Sequence, residues 1–148
     1  MLTGQLYACF CGWNGPFIKM AKQSSYVVQV KIVKNDESMT MEAEIIENFK
    51  GEGIEENIVI GGLTSCDVRT KHFPVGSTWF FALEKGGTIS EDDQSEEIEF
   101  YSISICGEYQ LKVVKNKVIG QITNEEYRKT PQKMDLKAFK KLLQEELS

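Results

Sequence analysis

Cys9-Phe10-Cys11 sets the reading of the whole chain. Two cysteines one residue apart sit near the amino end, and the other two, Cys66 and Cys106, lie far downstream, each beside a predicted strand. In an extended Cys-x-Cys, successive side chains point to opposite faces. The two sulfurs are then poorly placed to pair with each other, whereas each can reach a distant partner. Cys9 and Cys11 therefore read as staples that fasten an amino-terminal segment to two places on a larger body. Four cysteines allow three connectivities, and spacing alone does not choose among them.

That body reads as mainly β with flanking helices. Gly12-Trp13-Asn14-Gly15-Pro16 is dense in turn formers. Pro16 suits the first position of a helix, and Phe17, Met20 and Ala21 recur at helical spacing, so a short helix is predicted over Pro16–Ser24 with Phe17 and Met20 in the core. Tyr26–Val33 is the clearest strand, β-branched and alternating. A turn at Asn35–Ser38 leads to a second strand over Met39–Phe49. A helix competes there, because Glu and Ala dominate, and the alternation slips by one around Ile45-Ile46, which predicts a bulge or bend.

Lys50–Gly53 reads as a turn, Asn57–Ile60 as a short strand and Asp67–Val75 as an irregular loop. Thr78–Leu83 is nearly continuous in apolar residues and is expected to be buried on both faces. A further turn is predicted at Lys85-Gly86-Gly87, a strand over Ile98–Cys106, and a hairpin of Leu111–Val114 with Lys117–Ile122 around Lys115-Asn116. Met134–Leu147 carries an apolar stripe of Leu136, Phe139, Leu142, Leu143 and Leu147, with Asp135 as N-cap. The acidic stretch Ser90–Glu97 lacks the spacing of a calcium loop and reads as a solvated hairpin tip. The sum is an OB-type barrel of five to six strands, with a short N-terminal helix and a C-terminal helix. Residues 9–122 form the barrel, and 123–148 form a linker and the amphipathic helix.

Composition bounds the function. A chain of 148 residues with 41% hydrophobic and 26% charged residues is ordinary for one globular domain. The net charge of −5 disfavours nucleic acid as a partner. No apolar run approaches the roughly 18 residues of a membrane helix, so no membrane span is expected. Paired cysteines need an oxidising compartment, which points to a secreted or cell-surface location. Met1–Ala8 is too short for a complete signal peptide and reads as a signal remnant or an N-terminal extension. Leu6-Tyr7-Ala8-Cys9 also fits a loose lipobox, which would put a lipid anchor on Cys9.

A family likeness rests on these residues. Ala8-Cys9-Phe10-Cys11, followed by a short helix and Tyr26–Val33, resembles the opening of the netrin-like domain found in tissue inhibitors of metalloproteinases. The likeness continues through Ile45–Gly51, Cys66, Phe73–Leu83 and Tyr101–Gly107, and looks closest to the bacterial branch with four cysteines. The resemblance implies an OB-type barrel and the disulfides Cys9–Cys66 and Cys11–Cys106. It also implies a binding edge made of Cys9, Phe10, Cys11, Thr64, Ser65 and Cys66. In such inhibitors the mature N-terminal cysteine chelates the zinc of a partner metalloprotease through its α-amine and carbonyl oxygen, and the next residue enters the specificity pocket. Cys9 and Phe10 would hold those roles here, with Thr64, Ser65 and Cys66 as the neighbouring wall.

Other chemistries are weaker fits. His72 is the only histidine, and a Cys66–His72 nucleophile pair fails once Cys66 is disulfide-bonded. No phosphate loop or Ser/His/Asp order is present. The expected function is therefore a non-enzymatic protein-binding module without a cofactor or a metal of its own, in its most concrete form a metalloprotease inhibitor. One alternative is an interaction or adhesion domain with purely structural disulfides, each closing a loop worth roughly 4–5 kcal/mol in the chain-entropy model. Another is a thiol metal-binding or redox protein, although paired Cys-x-x-Cys knuckles are missing.

Overall fold

The computed structural model describes residues 9–62, 66–89, 97–127 and 129–148. Its strands are β1 (Tyr26–Asn35), β2 (Thr40–Lys50), β3 (Asn57–Gly61), β4 (Thr78–Ile89), β5 (Ile98–Ser102), β6 (Gln110–Val114), β7 (Lys117–Gly120) and β8 (Gln132–Asp135). They form one sheet in the order β1-β2-β3-β5-β4-β6-β7-β8, and β4 also pairs back onto β1. Strands β1, β2, β3, β5 and β4 thereby make a ring. Its weakest seam is the parallel contact of β3 with β5, joined at Ile60 and Tyr101. This is the OB-type barrel that the sequence predicts.

The apolar run of β4 explains the two layers. Trp79, Phe81 and Leu83 point into the barrel with Val28, Val30, Ile32, Met41 and Tyr101. Phe80 and Ala82 point outward into a second core with Phe17, Val27, Leu111 and Phe139. Helix α1 (Phe17–Gln23) and helix α2 (Leu136–Leu147) cover that outer face. The Phe139 ring meets Phe80 edge-on at 4.6 Å and Phe17 at 6.0 Å. Phe17 and Met20 are fully buried, as their spacing predicts.

Residues 40–50 are strand rather than helix. Pairing with β1 on one edge and β3 on the other outweighs the small helix preference of Glu and Ala. Glu47 faces Gln29 and Ile45 faces Val30, so Ile46 is the extra residue of a bulge and turns outward, 48% exposed. The predicted slip in alternation falls at this residue. Lys115 and Asn116 both have positive φ, the tight hairpin turn expected between β6 and β7.

The five-stranded ring falls within the expected five to six, and among the described residues β6–β8 extend the sheet beyond it to eight strands. Details of other expected elements are corrected. Met134 lies in β8 and α2 begins at Leu136. Asp135 occupies the N-cap position without a side-chain capping bond and faces Lys117 at 3.7 Å instead. The predicted strand Ile98–Cys106 ends at Ser102, after which Ser104 makes a single bridge to Asp67. Finally, Lys85-Gly86-Gly87 is not a turn. β4 runs through it with a bulge at Gly86, whose missing side chain leaves room for the Phe100 ring.

A Cβ at Gly86 would lie 2.2 Å from the Phe100 ring. Gly86→Ala is therefore expected to lower stability by about 1–3 kcal/mol, the usual cost of overpacking. Urea denaturation should show an earlier midpoint with an unchanged slope. An unchanged midpoint would mean that Phe100 does not seat on Gly86.

Candidate functional site

The amino-terminal arm is fixed before α1 begins. Asn14 N donates to Cys106 O at 2.8 Å, and Glu108 N donates to Gly15 O at 3.0 Å. Residues 14–15 thus run beside residues 106–108. The first amides of α1 are satisfied by the neighbouring loop, with Phe17 N donating to Gln121 O at 2.9 Å and Ile18 N to Ile122 O at 3.1 Å. At its other end, the Lys50 ammonium donates to the carbonyls of Ala21 and Lys22 at 3.3 and 2.8 Å. A cation at a helix C-terminus is favourable.

Two disulfides complete the attachment. Cys9 is bonded to Cys66 and Cys11 to Cys106, with Cα atoms 5.0 and 5.6 Å apart. The anchoring segments are themselves held together. Ile105 N donates to Cys66 O at 2.8 Å, Val68 N to Ile103 O at 2.7 Å, and Cys106 N to Ser104 Oγ at 3.0 Å.

The Cys-x-Cys does not place its sulfurs on opposite faces. Cys9 Sγ lies 3.2 Å from Cys11 Sγ, and all four Sγ atoms lie within 4.8 Å of one another. Residues 9–16 are not a strand, so the two-residue alternation of a pleated chain does not apply to them. Reduced, four such sulfurs would be a compact thiolate donor set. As disulfides they are not metal ligands.

Phe10 stands between the two bridged cysteines and is 86% exposed. Bridges on either side fix its backbone while the ring meets solvent. Thr64 and Ser65, the expected wall beside it, lie outside the described residues, as does the acidic stretch 90–96. His72 sits exposed at the end of a short 3-10 turn, Thr70–His72. The Cys66 sulfur is taken up by its disulfide, so the two form no nucleophile pair.

Sequence reading overlooked the ground next to this edge. Trp13 and Tyr127 place their rings 5.5 Å apart. Between them and the Cys11–Cys106 bridge opens a pocket of about 430 Å³ that Glu108 and Gln121 also line. These residues are scattered over more than a hundred positions. Their one local sign is that Trp13 follows Cys11 closely and Glu108 follows Cys106, so the disulfide brings both together. Burial pushes the Glu108 carboxyl above its ordinary value of 4.5, opposed by the hydrogen bond from Gln121 N.

No protein-family model, no curated protein and no solved structure matches the chain. Among the described residues, no helix is long and apolar enough to cross a membrane.

The raised Glu108 value has a direct consequence for stability. The folded state favours the protonated carboxyl, so stability falls as pH rises from about 4.5 through the higher folded value. Glu108→Gln keeps the shape without the charge. Thermal melts from pH 3 to 8 should show this variant more stable than wild type at neutral pH, with the difference fading below the ordinary carboxylate range. A less stable variant at neutral pH would contradict the sign.

Proposed function

We propose that the chain is a non-enzymatic, netrin-like binding module that works in an oxidising compartment, secreted or at the cell surface, and grips a protein partner through the Cys9-Phe10-Cys11 edge. The observation that carries this reading is Phe10, a large aromatic held in solvent between two disulfide-bonded neighbours. Its ring is the most exposed of the large hydrophobic side chains described, and it offers apolar area for a partner to cover. A rigid aromatic anchor also loses little conformational freedom on binding. The two disulfides support the compartment, and the OB-type ring agrees with the netrin-like resemblance.

The most concrete activity is inhibition of a zinc metalloprotease. Phe10 would fill the specificity pocket, and a free amine and carbonyl on Cys9 would take the open position of the catalytic zinc. Ala8 precedes Cys9, so the Cys9 nitrogen is a peptide amide whose lone pair is delocalised into the carbonyl and not available for chelation. Chelation therefore belongs to a form that starts at Cys9. Lipidation of Cys9 is a mutually exclusive state, since its sulfur is shared with Cys66. Without a zinc-directed amine, the same edge serves as a plain interaction or adhesion surface with structural disulfides.

Three forms assayed against a panel of zinc endopeptidases separate these readings. A chain beginning at Cys9 is expected to inhibit at least one protease. The chain retaining Met1–Ala8 is expected not to, and Phe10→Ala in the shorter chain should weaken inhibition by roughly 30-fold, about 2 kcal/mol, as for an interface hot spot. No inhibition by the chain beginning at Cys9 would remove the inhibitor reading.

A further inference from the structure

We infer that the pocket beside the Cys11–Cys106 disulfide is a binding site for a protonated amine or guanidinium group, taken by the Glu108 carboxylate against the Trp13 and Tyr127 rings. This site is separate from the exposed Phe10, and its occupant needs no zinc.

Three groups converge there, and each favours a cation that donates hydrogen bonds. Glu108 lines the pocket, and its carboxylate accepts one hydrogen bond, from Gln121 N at 3.2 Å. No described lysine or arginine forms an ion pair with it. A half-buried carboxylate in that position gains from an incoming positive charge. Gln121 also lines the pocket and is only 9% exposed, yet its Oε1 is buried without a hydrogen-bond partner among the described residues. A buried acceptor left unpaired is unfavourable, and a donor that reaches it from the pocket recovers that bond. The third group is aromatic, since ring faces attract ammonium and guanidinium ions. Trp13 and Tyr127 lie 33° from parallel at 5.5 Å. At that separation no ion fits between the tilted rings, so the cation meets the pair from the pocket side.

The donor set discriminates among cations. A single carboxylate and one amide oxygen fall short of the six to eight oxygens that calcium takes. An alkylammonium or guanidinium needs only a few acceptors and an apolar wall for its carbons. Ile105 supplies such a wall on the outer side. The volume of about 430 Å³ admits a side-chain tip or a small amine. Gly107 keeps the floor in place, because a Cβ there would lie 2.6 Å from Met20 Sδ under α1.

Two sources offer this chemistry, a free small amine and a basic side chain of a protein partner. Titration of ¹⁵N-labelled full chain with n-butylammonium chloride, N-acetyl-argininamide and an arginine-containing tetrapeptide tests the site, with n-butanol and matched sodium chloride as controls. The Trp13 indole N–H and the Gln121 side-chain amide should shift saturably with the cations and not with n-butanol. The indole of Trp79 is bonded to Ser77 inside the barrel and should stay fixed. Glu108→Gln should weaken binding at least tenfold. Tyr127→Leu, an exposed position, should weaken it with the fold intact. Tighter binding of the tetrapeptide would assign the site to a basic side chain of a partner, and equal or tighter binding of n-butylammonium to a small amine. Absence of saturable shifts, equal response to n-butanol, or undiminished binding by Glu108→Gln would overturn the inference. No protease enters the titration, so it is read independently of inhibition by the Phe10 edge.

Discussion

β4 is buried from both sides, and the molecule is arranged around that burial. Its odd-numbered residues from Trp79 to Leu83 fill the barrel, and Phe80 and Ala82 hold the helices against the outside. Burying a side chain of this size contributes roughly 1.5–3 kcal/mol. One strand therefore couples two cores that would each be modest alone. The coupling reaches the Cys9-Phe10-Cys11 segment. Phe80 packs on Phe139 of α2 in the same cluster that holds Phe17 of α1, and α1 begins where the disulfide-bonded arm ends.

The arm is held by a different kind of force. Little of it is buried, so hydrophobic packing contributes little there. Backbone hydrogen bonds to Cys106 and Glu108 and two covalent bridges replace it. A disulfide acts largely on the unfolded chain, by removing its freedom, and so stabilises a segment without requiring it to be covered. That permits an aromatic ring to stay in water on a fixed backbone. The same bridges leave an acidic, aromatic hollow on one side of the edge, so one covalent attachment serves two surfaces.

Much of the barrel was legible because its signals are local. Alternation in β1, the slipped register at Ile46, the Lys115-Asn116 turn and the stripe of α2 each report on neighbours in sequence. The parts that were not legible depend on distant neighbours. The glycines at 86 and 87 look like a turn until Phe100 is known to lie over Gly86. Ser104 leaves the sheet because its partner is Asp67, and β8 exists only because β7 offers it a free edge. The Cys-x-Cys was legible as a double staple, while the convergence of its sulfurs was not, since the segment is irregular. Trp13, Glu108, Gln121 and Tyr127 carry no shared spacing, and only the fold makes them one site.

Everything proposed for the edge depends on which cysteines are joined in the working protein. Peptide mapping of the unreduced protein, isolated from its native host and digested without scrambling, reads this directly. Cys9 linked to Cys66 and Cys11 linked to Cys106, with no thiol left to alkylate, is the expected result. The crossed pairing would overturn the connectivity while leaving Phe10 between two bridges. Free thiols or a Cys9–Cys11 bridge would contradict a clamped Phe10, and free thiols would move the sulfur cluster from a structural role to a metal-binding or redox one.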